Sequence, residues 1–183
     1  FAPVAVFPVE TGTDPVAKGV RLLETGHDRQ AFRVFSAAAK HRDEAKYQLG
    51  LLYCKGRGVT EDPSRCVTWL THAARNGHAG AQYALYRLHQ DSANPFISRE
   101  QAIAWLEQAA ENGEPDAMNI LGDREMLHWQ NPDNARKAAQ WYRRAAEAGH
   151  AAAQNNLAYL YLNGVGVDMD VHEAYRWLKK SAD

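Results

Sequence analysis

The sequence predicts an all-α protein: a solenoid of stacked helix–turn–helix repeats, about five helix pairs long. Two series of spacings carry that prediction. Tryptophans stand at Trp69, Trp105, Trp141 and Trp177, each 36 residues after the one before. Leucines stand at Leu49, Leu85, Leu121 and Leu157 with the same step. A fixed period of roughly 20–50 residues marks repeat architectures, in which each pair buries its apolar face only by stacking on its neighbours.

The first helix of each repeat is read from Ala45, Ala81, Ala117 and Ala153, four residues before each leucine. Alanine and leucine at i and i+4 form one stripe on a helix. Gly50, Gly122 and Ala158, each directly after a leucine, let the partner helix come close, while Tyr86 holds that place in the remaining repeat.

The second helix is read from each tryptophan and the small residue four positions on, Ala73, Ala109, Ala145 and Ser181. These make a large knob and a small hole on one face, and the periodicity assigns the tryptophans to the core. Asp62, Ser98, Asn134 and Asp170 precede the second helices at the same step and are preferred N-cap types. Ser98 with Gln101, and Asp170 with Glu173, have capping-box spacing. Gly77, Gly113 and Gly149 stand where a helix ends on a left-handed residue.

Two of the connectors inside the repeats read Gly-x-Gly-Val, at Gly56–Val59 and Gly164–Val167. The other two, at 92–97 and 128–133, contain proline instead. Ahead of the periodic region a divergent terminal pair is expected, with Gly19, Leu22, Ala31, Phe35 and Ala38 packed between helices near 14–25 and 28–40. Residues 1–13 are apolar, contain Pro3 and Pro8, and lack the basic start of a signal peptide. They read as an extended segment, a linker or a strand-like ligand for a groove, in a processed or truncated chain that starts at Phe1. The expected organisation is therefore residues 1–13 followed by a single solenoid domain over 14–183, with repeats near 14–42, 43–78, 79–114, 115–150 and 151–183.

A formal net charge of −1 argues against nucleic acid as a partner, since a phosphate backbone selects a basic surface. No apolar run is long enough to insert in a membrane. The eight histidines show no ligand spacing, and His78 and His150 recur at repeat junctions. No nucleophile elbow, P-loop or dinucleotide fingerprint is present, and the Gly-x-Gly pairs join two helices rather than a strand to a helix. No catalytic residue, cofactor or metal ligand is expected. Cys54 and Cys66 are read as two buried free thiols in preference to a single bridge.

The run Ala153-Gln154-x-x-Leu157-Ala158-x-x-Tyr161-x-x-Gly164-x-Gly166-Val167-x-x-Asp170-x-x-x-Ala174-x-x-Trp177 resembles the Sel-one-like repeat (SLR), a relative of the tetratricopeptide repeat (TPR). The stretch from Ala45 to Gly77 resembles it equally well, and the likeness covers residues 43–183. The resemblance implies a right-handed superhelix that works as a non-enzymatic adaptor or scaffold for a protein or peptide, in a bacterial envelope or secreted setting, so a periplasmic or secreted location is favoured over a cytoplasmic one. It also implies that the first helices line a concave face. On that face fall Tyr47, Tyr83, Asn119 and Asn155 in one row, and Leu51, Arg87, Asp123 and Tyr159 in a second. Tyrosines give contact area, asparagines can pair with both groups of a peptide bond, and arginine can grip a carboxylate. The competing readings are an enzyme or carbohydrate-binding subunit, for which the aromatics Tyr83, Tyr159 and Trp129 are the candidates, and a structural scaffold piece that self-associates through its C-terminal face or its N-terminal segment.

Overall fold

Ten α-helices account for the regular structure among the described residues, and no strand is found there. The computed structural model describes residues 14–92 and 95–182. The extended segment expected at 1–13 lies outside them, as do residues 93 and 94 of one connector. The helices are α1 (Pro15–Glu24), α2 (Asp28–Ala38), α3 (Asp43–Lys55), α4 (Pro63–Arg75), α5 (Ala79–Ser92), α6 (Arg99–Glu111), α7 (Pro115–Met126), α8 (Pro132–Glu147), α9 (Ala151–Asn163) and α10 (Val171–Ala182). They follow as five helix–turn–helix pairs. By internal packing the chain divides into two compact units, Phe1–Ala73 and Ala74–Asp183.

In the first unit, α1 and α2 close on Gly19 and Phe35, whose ring lies where a Gly19 side chain would stand. Ala31, Phe35, Ala39, Ala45, Leu49 and Leu52 form the core. Gly50 faces Leu70 at a distance that leaves no room for a methyl group, since an added Cβ would come within 2.7 Å of Leu70 Cγ. Cys54 and Cys66 form a disulfide, which corrects the expectation of free thiols. The last turn of α3 and the first turn of α4 bring their Cα atoms to 5.0 Å, inside the range a bridge requires. Sequence separation could not reveal this, because the connector that folds α4 back onto α3 sets the distance.

That connector is itself anchored. Arg57 donates to both carboxylate oxygens of Asp28, at 2.6 and 3.1 Å, and to the Leu23 carbonyl at 3.2 Å. The Arg57 hydrogen bond holds the Asp28 carboxyl below its ordinary value, and burial opposes the shift without reversing it. Gly58 then lies on the backbone at the start of α2, where a Cβ would stand 2.3 Å from the Asp28 carbonyl oxygen. Gly166 repeats the arrangement in the second unit, with a Cβ position 2.2 Å from the Ala135 carbonyl oxygen on α8. The Gly-x-Gly-Val connectors are therefore sites of backbone-to-backbone packing between successive repeats.

The second unit is built on the predicted stripe. Ala81, Leu85, Ala117, Ala153 and Leu157 are buried, with Leu121 close behind. Leu106, Ala109, Tyr142, Ala145 and Leu160 complete the core with Trp177. Burial of each leucine side chain stabilises the fold by about 2 kcal/mol. The tryptophans divide: Trp177 is buried, while Trp69, Trp105 and Trp141 are half-buried. Arg144 covers the Trp141 face at 4.6 Å and also donates to the Ala110 carbonyl at the end of α6, so one cation serves an aromatic ring and a helix C-terminus.

Junctions between repeats follow a common plan. Gly77, Gly113 and Gly149 have φ of 87°, 100° and 89°, as a left-handed helix end demands. His78 Nδ1 accepts the Ala81 N–H and His150 Nδ1 accepts the Ala153 N–H, so both histidines cap helices. His150 then carries its proton on Nε2 and donates to Asp116 at 3.1 Å. The buried glutamines Gln82 and Gln154 donate to the Ala74 and Ala146 carbonyls, satisfying the ends of α4 and α8.

Of the predicted N-caps, Asp62 accepts the Arg65 N–H. Asp170 accepts those of His172 and Glu173. Ser98 forms the full capping box with Gln101. Asn134 is not a cap. Helix α8 begins earlier, at Pro132 behind Asn131, whose side chain accepts the Asp133 N–H. Proline suits the first helical position because its missing N–H would be unpaired there anyway.

Candidate functional site

The residues proposed for the concave face stand on the first helices of the repeats. In the first unit, Tyr47 and Leu51 lie one turn apart on α3 and are both half-buried. In the second unit, α5 carries Tyr83 and Arg87, α7 carries Asn119 and Asp123, and α9 carries Asn155 and Tyr159. Arg87, Asp123, Asn155 and Tyr159 are exposed, and Tyr159 presents 57% of its surface. Tyr83 is half-buried, leans on the core and stacks on Tyr86, with ring centroids 6.3 Å apart and planes at 24°.

The structure joins Asn119 and Asp123 directly. Asn119 Nδ2 donates to Asp123 Oδ2 at 3.2 Å. Asn156 of α9 reaches across to both, donating to Asn119 Oδ1 at 3.1 Å and to Asp123 Oδ1 at 3.4 Å. Beneath them Tyr142 of α8 donates to Asp123 Oδ1 at 2.7 Å. Burial pushes the Tyr142 phenol well above its ordinary value, and the Asp123 carboxylate pushes it further, so the hydroxyl remains a donor through the neutral range. Three donors thus fix an exposed carboxylate in one orientation.

Asn155 does not join this network. Ser181 Oγ of α10 lies 2.7 Å from Asn155 Oδ1 and 2.8 Å from the Leu178 carbonyl, and with one proton it donates to one of them at a time. Asn119 and Asn155 occupy equivalent repeat positions, yet their amides face different partners. Asn119 keeps one donor and one acceptor lone pair for a peptide group, whereas Asn155 keeps both donors and one lone pair. Tyr159 lends its own carbonyl to Asn163 Nδ2 at 2.8 Å and leaves its ring outward.

Sequence reasoning missed Tyr142 and Asn156. The signal for Tyr142 was available: Leu70, Leu106, Tyr142 and Leu178 share one position 36 residues apart, and only the tyrosine there has a polar tip. Gly122 confirms the fit, since a Cβ there would stand 2.5 Å from the Tyr142 ring. No signal singled out Asn156, which borders the row without belonging to it.

Apolar side chains also reach solvent at other places. Leu127 and Trp129 stand out in the α7–α8 connector, and Val171, Tyr175 and Leu178 along α10. Tyr175 is 68% exposed, whereas Ala139, one repeat earlier, is 4% exposed. Among the described residues no group of three or more His, Cys, Asp or Glu side chains could hold a metal ion. No described helix is long and apolar enough to cross a membrane.

Comparison with known proteins yields one family. The model for the Sel1 repeat matches residues 43–78, 80–114, 115–150 and 151–183. A Sel1 repeat protein from Oxalobacter formigenes superposes with a TM-score of 0.78 at 33% identity, over 85% of this chain and 45% of that one. The protective antigen c5321 of uropathogenic Escherichia coli, which displays an SLR fold, superposes with a TM-score of 0.68 at 28% identity. That match covers 91% of this chain and 38% of c5321. Protein SHC1 of Saccharomyces cerevisiae is 42% identical over 59 residues, which is 32% of this chain and 12% of SHC1. The chain thus spans less than half the length of each of these relatives.

Proposed function

This chain belongs to the Sel1 repeat family, and from that premise we propose that it is a non-enzymatic adaptor whose α5, α7 and α9 receive a peptide or protein segment. Sel1 repeats are generally protein-interaction modules. The observation that carries the reading is the Asp123 cluster: a solvent-facing carboxylate held by Tyr142, Asn119 and Asn156. A polar group already fixed in place loses little freedom when a partner binds, so more of the contact energy appears as affinity. Tyr159, one repeat further along, adds exposed aromatic area at low entropic cost. Tyr83, Arg87 and Asn155 extend the same face, and Tyr47 with Leu51 offers a separate patch in the first unit.

A periplasmic or secreted setting is part of the proposal. The Cys54–Cys66 disulfide supports it, because such bridges persist in oxidising compartments and are rare in the cytosol.

The test is affinity capture with the intact protein as bait, followed by mass spectrometry. Wild type is compared with Asp123→Ala plus Tyr159→Ala, and with Tyr83→Ala plus Asn119→Ala, each first shown to keep its helical circular dichroism. Loss of the same captured proteins in both variants supports the reading. Identical capture by all three baits overturns it.

A further inference from the structure

Beside this face, the second unit contains a cleft of about 320 Å³ that no part of the repeat pattern explains. Tyr86, His89 and Gln90 line it from α5, Arg99, Ala102, Ile103 and Leu106 from α6, and Arg124 from α7. Ala102 and Leu106 are buried and Ile103 half-buried, so the floor is apolar. The walls are cationic. Arg99 opens α6 directly after the Ser98 capping box, which holds the backbone at that point. Arg124 follows Asp123 in the last turns of α7. Among the described residues neither arginine has a carboxylate within ion-pair distance, in contrast to Arg57, Arg136 and Arg176.

The polar atoms at the cleft are oriented. His89 Nδ1 lies 3.0 Å from the Ile97 carbonyl, an obligate acceptor, so Nδ1 carries the proton and the ring is fixed. Among the described residues no acid lines the cleft. Glu100, next to Arg99, turns to the helix start instead. Its own backbone N–H and the Ser98 hydroxyl hold its carboxyl below the ordinary value, with smaller contributions from Arg99 and His89.

We propose that this cleft binds a carboxylate of the partner peptide, gripped by Arg99 and Arg124, with the attached apolar group seated on Ile103, Leu106 and Tyr86. Arginine presents paired N–H groups that match the two oxygens of a carboxylate, and an unpaired arginine at an apolar floor gains most from such a ligand. The volume suits one residue, not a folded domain. Arg124 lines the cleft and directly follows Asp123 on α7, so a peptide lying on α7 can place one residue in the cleft. The inference rests on the reading of that face as a peptide site, and it names the chemistry the peptide must carry.

The test uses the intact protein, isotope-labelled and followed by NMR, with three small probes. N-acetylphenylalanine mimics the C-terminal residue of a peptide, N-acetylglutamate α-amide mimics an acidic side group, and N-acetylphenylalaninamide is the neutral control. At least one carboxylate probe should shift the signals of Arg99, Arg124 and His89, with a dissociation constant of about 1 mM, and the neutral amide should bind about tenfold more weakly. The stronger carboxylate identifies the source, peptide terminus or acidic residue. Arg99→Gln with Arg124→Gln should abolish the shifts, and Arg124→Lys, which keeps the charge and loses the paired geometry, should weaken them. Equal shifts from the amide and the carboxylates, or no shift at these residues from either carboxylate, overturn the proposal. The readout needs no natural partner. Failure here therefore leaves the Asp123 face standing, and failure of the capture experiment leaves the cleft assay unchanged.

Discussion

Tyr142 Oη donates to Asp123 Oδ1 at 2.7 Å, and the same tyrosine ring fills the space that Gly122 leaves open on α7. One residue therefore serves the core through its ring and the exposed face through its hydroxyl.

Replacing Tyr142 by Phe keeps the ring and removes the donor. The cost should be about 1 kcal/mol, below the range for hydrogen bonds to a buried charge because Asp123 is solvent-exposed. The sign with pH follows from the raised phenol. A group that binds its proton more tightly when folded stabilises the fold below its unfolded value, 10.0 here, and loses that contribution as pH rises above it. Urea unfolding should show a gap between wild type and Tyr142→Phe that is constant near neutrality and shrinks above pH 10. A gap that widens there contradicts the assignment.

Gly122→Ala places a methyl group 2.5 Å from the Tyr142 ring. Overpacking of this kind costs about 1–3 kcal/mol, more than alanine gains in helix propensity. Thermal unfolding of Gly122→Ala, Tyr142→Ala and the double variant should reveal strong coupling, with the double variant losing less than the two single losses added together. Strict additivity means the two residues do not share the space described.

The Cys54–Cys66 bridge closes a short loop, with its ends 12 residues apart in sequence. Reduction should lower stability by about 3 kcal/mol, the loss expected for a loop near that size. Urea midpoints with and without dithiothreitol measure it. Cys54→Ser with Cys66→Ser should show no response to the reductant, and an equal response in both proteins counts against the disulfide.

Gly166 and Gly113 both have positive φ, 68° and 100°, but only Gly166 abuts backbone. Gly113→Ala should cost about 1–2 kcal/mol of left-handed strain. Gly166→Ala adds a collision with the Ala135 carbonyl, so its melting temperature should fall further. Equal losses at the two sites mean the connector does not pack on α8 as described.

Residues that recur in register were legible before any coordinates. Ala81, Leu85 and Ala109 are buried where the stripe placed them, and Gly77, Gly113 and Gly149 end their helices as expected. The shift of one cap from Asn134 to Asn131 shows the limit of that reasoning. The cap position drifted in the repeat where Pro132 supplied a better helix start.

The face was less legible. Asn119 and Asn155 hold the same place in consecutive repeats, yet one joins Asp123 and the other Ser181. The period identified them as a row and could not say what each amide meets, because the neighbours that decide it, Asn156 and Ser181, differ from one repeat to the next. The disulfide and the arginine-walled cleft escaped for the same reason.

The repeat length, the helix pairs, the buried stripe and the junction glycines can all be read from the residues in chain order. Those positions meet the same surroundings in every copy, so selection writes them at a constant spacing. Which polar groups are held in place, which arginines lack a carboxylate and which cysteines meet emerge only from the packing of the helices. Those outcomes depend on distances between residues 12 to 37 positions apart in the sequence, which are fixed only when the helices pack.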